Sequence, residues 1–149
     1  MKNIRTIVIA TDFSPHSEQA IETAVMLAKT FSAPLHLVHA FDVPVPVVTP
    51  YEVAVPTGFI EQARDAARQR LSASEEKIRG QGVEVHSHLT ESPAAQAVAR
   101  IAAEVGADLV VMGTRGNTGL KHVLLGSVAE RTIRHAPCSV LTVKHPDDD

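Results

Sequence analysis

The residues best equipped for chemistry lie between Met112 and Arg131, a stretch reading MGTRGNTGLKHVLLGSVAER. An apolar run, Leu109-Val110-Val111-Met112, stops at Gly113. A basic loop holding Thr114, Arg115, Gly116, Lys121 and His122 follows, and Gly126-Ser127-Val128 stands where a helix should open. Strand, glycine-rich loop and helix N-terminus together make an arrangement that binds phosphate. Glycine lets backbone N–H groups close on an anion, and the helix macrodipole adds partial positive charge. Ser127 with Glu130 three residues on fits a capping box and marks the helix start. No Walker A triplet occurs, and no Gly-x-Gly-x-x-Gly follows the first strand, so the loop is of another kind.

The remaining reactive side chains offer less. His86 and His88 share one strand face by their spacing, whereas His36 and His39 do not, and local spacing is not taken to supply a third ligand from Cys, Asp or Glu. No metal site is expected there. Ser14, Ser17 and Ser127 all fall at helix starts, without the strained turn of a nucleophile elbow, so no catalytic triad is expected. Asp12 can serve the turn into the first helix or act as a ligand group; the neighbouring Ser14 is already a suitable cap, which favours the second role.

These residues sit on alternating strand and helix signals. Arg5 to Ala10 is a β-rich run, and Ser14-Pro15 supplies an N-cap with proline at the first helical position. Ala20, Ala24, Leu27, Ala28 and Phe31 recur at helical spacing until Pro34 ends the pattern. Leu35 to Ala40 reads as a second strand. From Asp42 to Gly58, Pro44, Pro46, Pro50 and Pro56 exclude regular structure and give a long loop. Glu61 to Ile78 is a strong helix closed by Gly80 and Gly82, and Val83 to His88 a third strand. Ser92-Pro93 repeats the cap device before Ala94, Val98, Ile101 and Val105. Asp108 to Met112, Ser127 to Arg134 and Cys138 to Val143 complete a strand, a helix and a fifth strand. Such alternation implies right-handed crossovers and a parallel sheet covered on both faces, an α/β fold whose strand order the pattern leaves open.

The spacing Gly113-x2-Gly116-x9-Gly126-Ser127 resembles the nucleotide motif of the universal stress protein family, in its ATP-binding branch. Ile7-Val8-Ile9-Ala10-Thr11-Asp12-Phe13-Ser14 resembles the family's first strand and acidic turn. Ala136-Pro137-Cys138-Ser139-Val140-Leu141-Thr142-Val143 resembles its last strand. The likeness leaves out only the 42–58 loop and the acidic tail. It implies a single-domain, flavodoxin- or Rossmann-like open twisted sheet of order 3-2-1-4-5, with a switch point between strands one and four. Ligands in such sheets bind beyond the carboxyl ends of the strands at that point. By the same resemblance Ala10, Thr11 and Asp12 meet the nucleoside, and backbone at Ala40 reads adenine. Met112, Gly113, Thr114, Arg115, Gly116, Gly126, Ser127 and Val128 surround the phosphates. Ala10 departs from the proline that some nucleotide-binding members carry.

The implied ligand is ATP, with or without Mg²⁺, or another adenine nucleotide, acting in regulation. A slow ATPase using the same pocket is the rival reading, disfavoured because the glycine loop holds no Asp, Glu or Gln to hold a metal or orient water. A nucleotide-free interaction module is the other, and the retained glycines count against it. A homodimer through strand 138–143 and an unknown regulatory protein partner are further implications.

Composition sets the outer bounds. The 149 residues, 44% hydrophobic, suit one domain over 1–145 with an acidic tail at 146–149. A formal charge of −3, with four Phe, one Tyr and no Trp, argues against nucleic-acid binding. No stretch suits a membrane span, the N-terminus lacks signal-peptide anatomy, and the one cysteine, Cys138, reads as a buried thiol. A cytoplasmic location is expected.

Overall fold

In the computed structural model, which describes residues 3–41, 58–116 and 124–147, five strands pair side by side in parallel. The elements run β1 (Ile7–Ala10), α1 (Pro15–Phe31), β2 (Leu35–Ala40), α2 (Phe59–Arg79), β3 (Val85–Thr90), α3 (Ala94–Glu104), β4 (Leu109–Gly113), α4 (Ser127–His135) and β5 (Ser139–Val143). The sheet order is β3-β2-β1-β4-β5, as the resemblance implied. Most of the proline-rich loop, Lys121, His122 and the end of the acidic tail lie outside the described residues. No helix among the described residues is long and apolar enough to cross a membrane.

Alternation along the strands decides which layer each side chain joins. Ile7, Ile9, Leu35, Leu37, Leu109 and Val111 pack on one face with Ile21, Ala24, Val25 and Ala28 of α1 and with Leu71 and Ile78 of α2. Val8, Val38 and Val110 pack on the other with Ala97, Val98, Ile101 and Ala102 of α3, flanked by Val140. Both faces of β1 and β4 are covered, which is why these two strands read as unbroken apolar runs, whereas β2 carries His36 and His39 among its apolar residues. Each fully buried Ile, Leu or Val contributes about 1.5–3 kcal/mol, so the centre of the sheet is the rigid base on which the strand ends are held.

Helix ends depart from the expected pattern in two places. Ser14 does cap α1, its Oγ accepting from Ser17 N at 3.3 Å with Pro15 in the first turn. Ser92 does not cap α3. Pro93 is the N-cap, with no side-chain hydrogen bond, while Ser92 Oγ lies 2.6 Å from Thr90 Oγ1 and turns the chain out of β3. The capping box on α4 is also absent: Gly126 is the N-cap and Ser127 the first helical residue, so Ser127 stands one position too far along to cap. Glu130 pairs instead with Arg134 at 2.9 Å. Strand β3 begins and ends two residues later than expected. Val83 is buried, yet Glu84 already accepts from Leu35 N, and the ladder runs on to Ala40 opposite Thr90. Its mixed Ser, His and Thr content hid the ends.

Candidate functional site

The sheet order puts β1 and β4 side by side with their outgoing connections on opposite faces, which opens a crevice above their carboxyl ends. It encloses about 660 Å³, within the range of small-molecule sites. Ala10, Thr11 and Asp12 line it from β1 and the turn after it, and Ala40 from β2. Met112, Gly113, Thr114, Arg115 and Gly116 line it from β4 and its loop, and Gly126, Ser127 and Val128 from the start of α4. Every residue singled out by the motif and described in the structure therefore borders one cavity. Lys121 and His122 lie outside the described residues.

The acidic turn is held by its own hydroxyls. Thr11 Oγ1 accepts from Phe13 N at 3.1 Å and lies 3.2 Å from the buried Ser17 Oγ, which donates to Ser14 O at 2.9 Å. Asp12 Oδ1 accepts from Ser14 N at 2.9 Å. Phe13 consequently takes φ +63°, a conformation costly for a bulky residue. It is secured by His39, whose ring centroid lies 4.3 Å away, and by the Arg70 guanidinium 4.3 Å above its ring. His39 Nδ1 is 2.8 Å from Thr11 O. A carbonyl only accepts, so that nitrogen carries the proton and the tautomer is set.

The glycines of the loop are needed for space. None of the three has positive φ. A Cβ on Gly116 would collide with Asp12 Oδ2, one on Gly113 would come 3.0 Å from His16 O, and one on Gly126 3.3 Å from Thr114 O. Gly126 N already donates to Thr114 O at 2.6 Å, so the expectation that this amide faces an anion is corrected. The groups left for an anion on that side are the first-turn amides of α4 at Ser127 and Val128. A helix gives these no internal partner, and no side chain caps α4. Asp12, assigned by resemblance to the nucleoside end, thus spans the site: one oxygen fixes its own turn and the other lies against the glycine loop.

Sequence reasoning missed part of the lining. Ser17, Val38, His39, Ala94, Val98 and Glu130 also border the crevice. Val38 and His39 could have been found, since they precede Ala40 on the same strand end. Ala94 and Val98 enter from α3, whose approach depends on tertiary packing. Glu130 was read as a cap partner, yet it gives the crevice a second carboxylate beside Asp12, against one guanidinium from Arg115. Among the described residues no three His, Cys, Asp or Glu side chains are grouped to hold a metal ion.

The sequence profile of the universal stress protein family matches residues 3–144. A universal stress protein of Methanocaldococcus jannaschii is 37% identical over 142 residues, covering 95% of this chain and 83% of that protein. Among solved structures, a universal stress protein in complex with cAMP superposes with a TM-score of 0.70 at 24% identity, over 96% of this chain and 98% of that one. An Archaeoglobus fulgidus universal stress protein in complex with dAMP gives 0.68 at 24% identity, over 96% and 100%. These two likenesses are of fold.

Proposed function

This chain belongs to the universal stress protein family, and from that premise we propose that its crevice binds an adenine nucleotide, with ATP as a regulatory ligand in a cytoplasmic stress response. The observation carrying this reading is the convergence on one cavity of the glycine loop, the uncapped α4 N-terminus and the small, apolar ends of β1 and β2. The amides of Ser127 and Val128 suit phosphate oxygens, helped by the α4 dipole and by Arg115. Ala10, Ala40, Ala94 and Val98 leave an apolar slot for a flat base. Complexes of two family members with cAMP and dAMP support the adenine assignment. Mg²⁺ fits as a companion of the triphosphate: the Asp12 and Glu130 carboxylates are hard oxygen donors of the kind it takes, and the ion would neutralise phosphate charge.

Slow hydrolysis is the second reading, favoured by those same two carboxylates, which the glycine loop alone lacks. Ordinary enzymes turn over at about 1–1000 per second; Asp12 Oδ1 is held by Ser14 N and Glu130 by Arg134, so the expected rate here lies far below that range even in saturating Mg²⁺. A turnover within it, abolished by Gly126→Val, would establish the enzyme. Binding itself is tested by calorimetry with ATP and AMP on the wild type and on Gly116→Val with Gly126→Val. Affinity should vanish in the double variant while its circular dichroism is unchanged, and retained affinity would overturn the assignment.

A further inference from the structure

Away from the crevice, the β2–β3 register sets His36 opposite His86 and Val38 opposite His88. Strand alternation then puts all three imidazoles on the α3 face of the sheet, beside Val38. His36 Nδ1 lies 3.0 Å from His88 Nε2, and the His36 ring stacks on that of His86 with centroids 5.2 Å apart. His36 and His88 are half-buried, and among the described strands β3 lies at the sheet edge with β2 as its one neighbour. His86 Nε2 is also 2.9 Å from Glu84 Oε1. Among the described residues no three potential ligands are grouped for a metal; imidazoles facing one another through their ring nitrogens are groups whose contact depends on how many protons they hold.

We propose that His36, His86 and His88 form a proton-operated latch on the β2–β3 ladder, closed at neutral pH and opened by acid, which releases edge strand β3 together with α2 packed on it. The proton count gives the mechanism. In the neutral pair one ring nitrogen donates and the other accepts, so a single proton lies between Nδ1 and Nε2. A first added proton goes to an outward nitrogen, His36 Nε2 or His88 Nδ1, and the bond survives as imidazolium to imidazole. A second proton has only the inner lone pair to take, and two N–H groups cannot face one another at that distance. The bond must then break, with the stacked His86 adding repulsion. Opening therefore takes two protons and is steeper in pH than one histidine would give.

The surroundings agree with that direction. Burial, then the neighbouring histidine charges, hold His36 below its ordinary value of 6.5; Glu84 opposes. Burial and His86 do the same for His88, with Arg100 of α3 adding to the effect and Glu104 of α3 and Glu75 of α2 opposing it. Because these groups bind protons less readily folded than unfolded, their contribution is present above 6.5 and is lost as pH falls through the lowered values. Glu75, held low chiefly by the hydrogen bond from Ser87 Oγ, has an ordinary value of 4.5 and would act only in a more acidic window.

Hydrogen exchange of the unliganded full chain at pH 7.5 and 5.0, corrected for intrinsic rates, tests the latch without reference to nucleotide. Amides of β3 and α2 should lose protection by about tenfold or more relative to β1 and β4, tenfold being one pH unit of linkage. In His88→Gln, whose amide reaches the Nε2 position without taking a proton, the extra loss should disappear. Equal changes in all strands, or the same selective loss in His88→Gln, would overturn the proposal. Ring-resonance titration of the wild type reads it independently of any variant: His36 and His88 should titrate in two coupled steps below the ordinary value of 6.5, and independent, ordinary titration would also overturn it.

Discussion

Asp12 holds two jobs in one carboxylate. Oδ1 closes its own turn on Ser14 N, and Oδ2 lies against Gly116 in the glycine loop. Losing a charged acceptor costs about 1.5–3 kcal/mol, so Asp12→Ala should lower ATP affinity roughly ten- to hundredfold. Without Mg²⁺, inorganic triphosphate should bind no worse, since a negative charge leaves the loop; metal-free calorimetry with both ligands checks this, and a parallel loss for both would assign the carboxylate to the phosphates. The same contact predicts the behaviour of Gly116. Gly116→Ala puts a methyl where Oδ2 sits, and overpacking of this kind costs about 1–3 kcal/mol. In an Asp12→Ala background the obstacle is gone, so a double-mutant cycle by chemical denaturation should show coupling of about 0.5–3 kcal/mol. Strict additivity would separate the two residues.

At the level of elements, the two serine helix starts look alike in sequence and differ in structure. Ser14 accepts from Ser17 N and caps α1, whereas Ser127 is inside α4 and caps nothing. Ser14→Ala should therefore cost about 0.5–2 kcal/mol in unfolding free energy. Ser127→Ala should fall within about 0.5 kcal/mol of wild type while weakening nucleotide binding by removing a hydroxyl that would donate to a phosphate oxygen beside the amide, a split that thermal melts and calorimetry together read. This pair also shows what the chain's letters carry. Strand and helix existence followed from period and punctuation: β1 and β4 are buried on both faces and read as apolar runs, and β2 alternates Leu35, Leu37 with His36 up to Val38. Cap identity did not follow, because Ser127 and Glu130 satisfy the capping-box spacing whether or not the backbone turns one residue earlier. Gly113, Gly116 and Gly126 were legible as a set through the family resemblance that their spacing carries. Their reason was not: it lies in the approach of Asp12, His16 and Thr114, two of them about a hundred residues away in sequence. The His36 contact with His88 was hidden for the same reason, since only the β2–β3 register brings them together.

At the scale of the whole molecule, the order β3-β2-β1-β4-β5 leaves two edges, and they are treated differently. The β3 edge carries polar Ser, His and Thr and is braced by Arg64 of α2, which pairs with Glu91 just beyond it. The β5 edge is Ser139-Val140-Leu141-Thr142-Val143, without proline or lysine inside it, and Leu141 is 37% exposed. An apolar edge of this kind presents unpaired backbone groups to another chain. Pairing of β5 with its own copy about a two-fold axis satisfies them in a closed assembly, whereas an unmatched partner would leave an edge open to further growth. A homodimer through residues 138–143 is the expected state, with twice the 15.9 kDa chain mass in sedimentation at micromolar concentration. Leu141→Lys adds the charge that natural edge strands use to repel pairing, and at a half-exposed position it leaves the strand's own ladder to β4 intact. That variant should sediment as a folded monomer with unchanged far-ultraviolet circular dichroism. A wild-type chain already at the monomer mass would remove the dimer, and a Leu141→Lys chain still at twice that mass would move the interface away from β5.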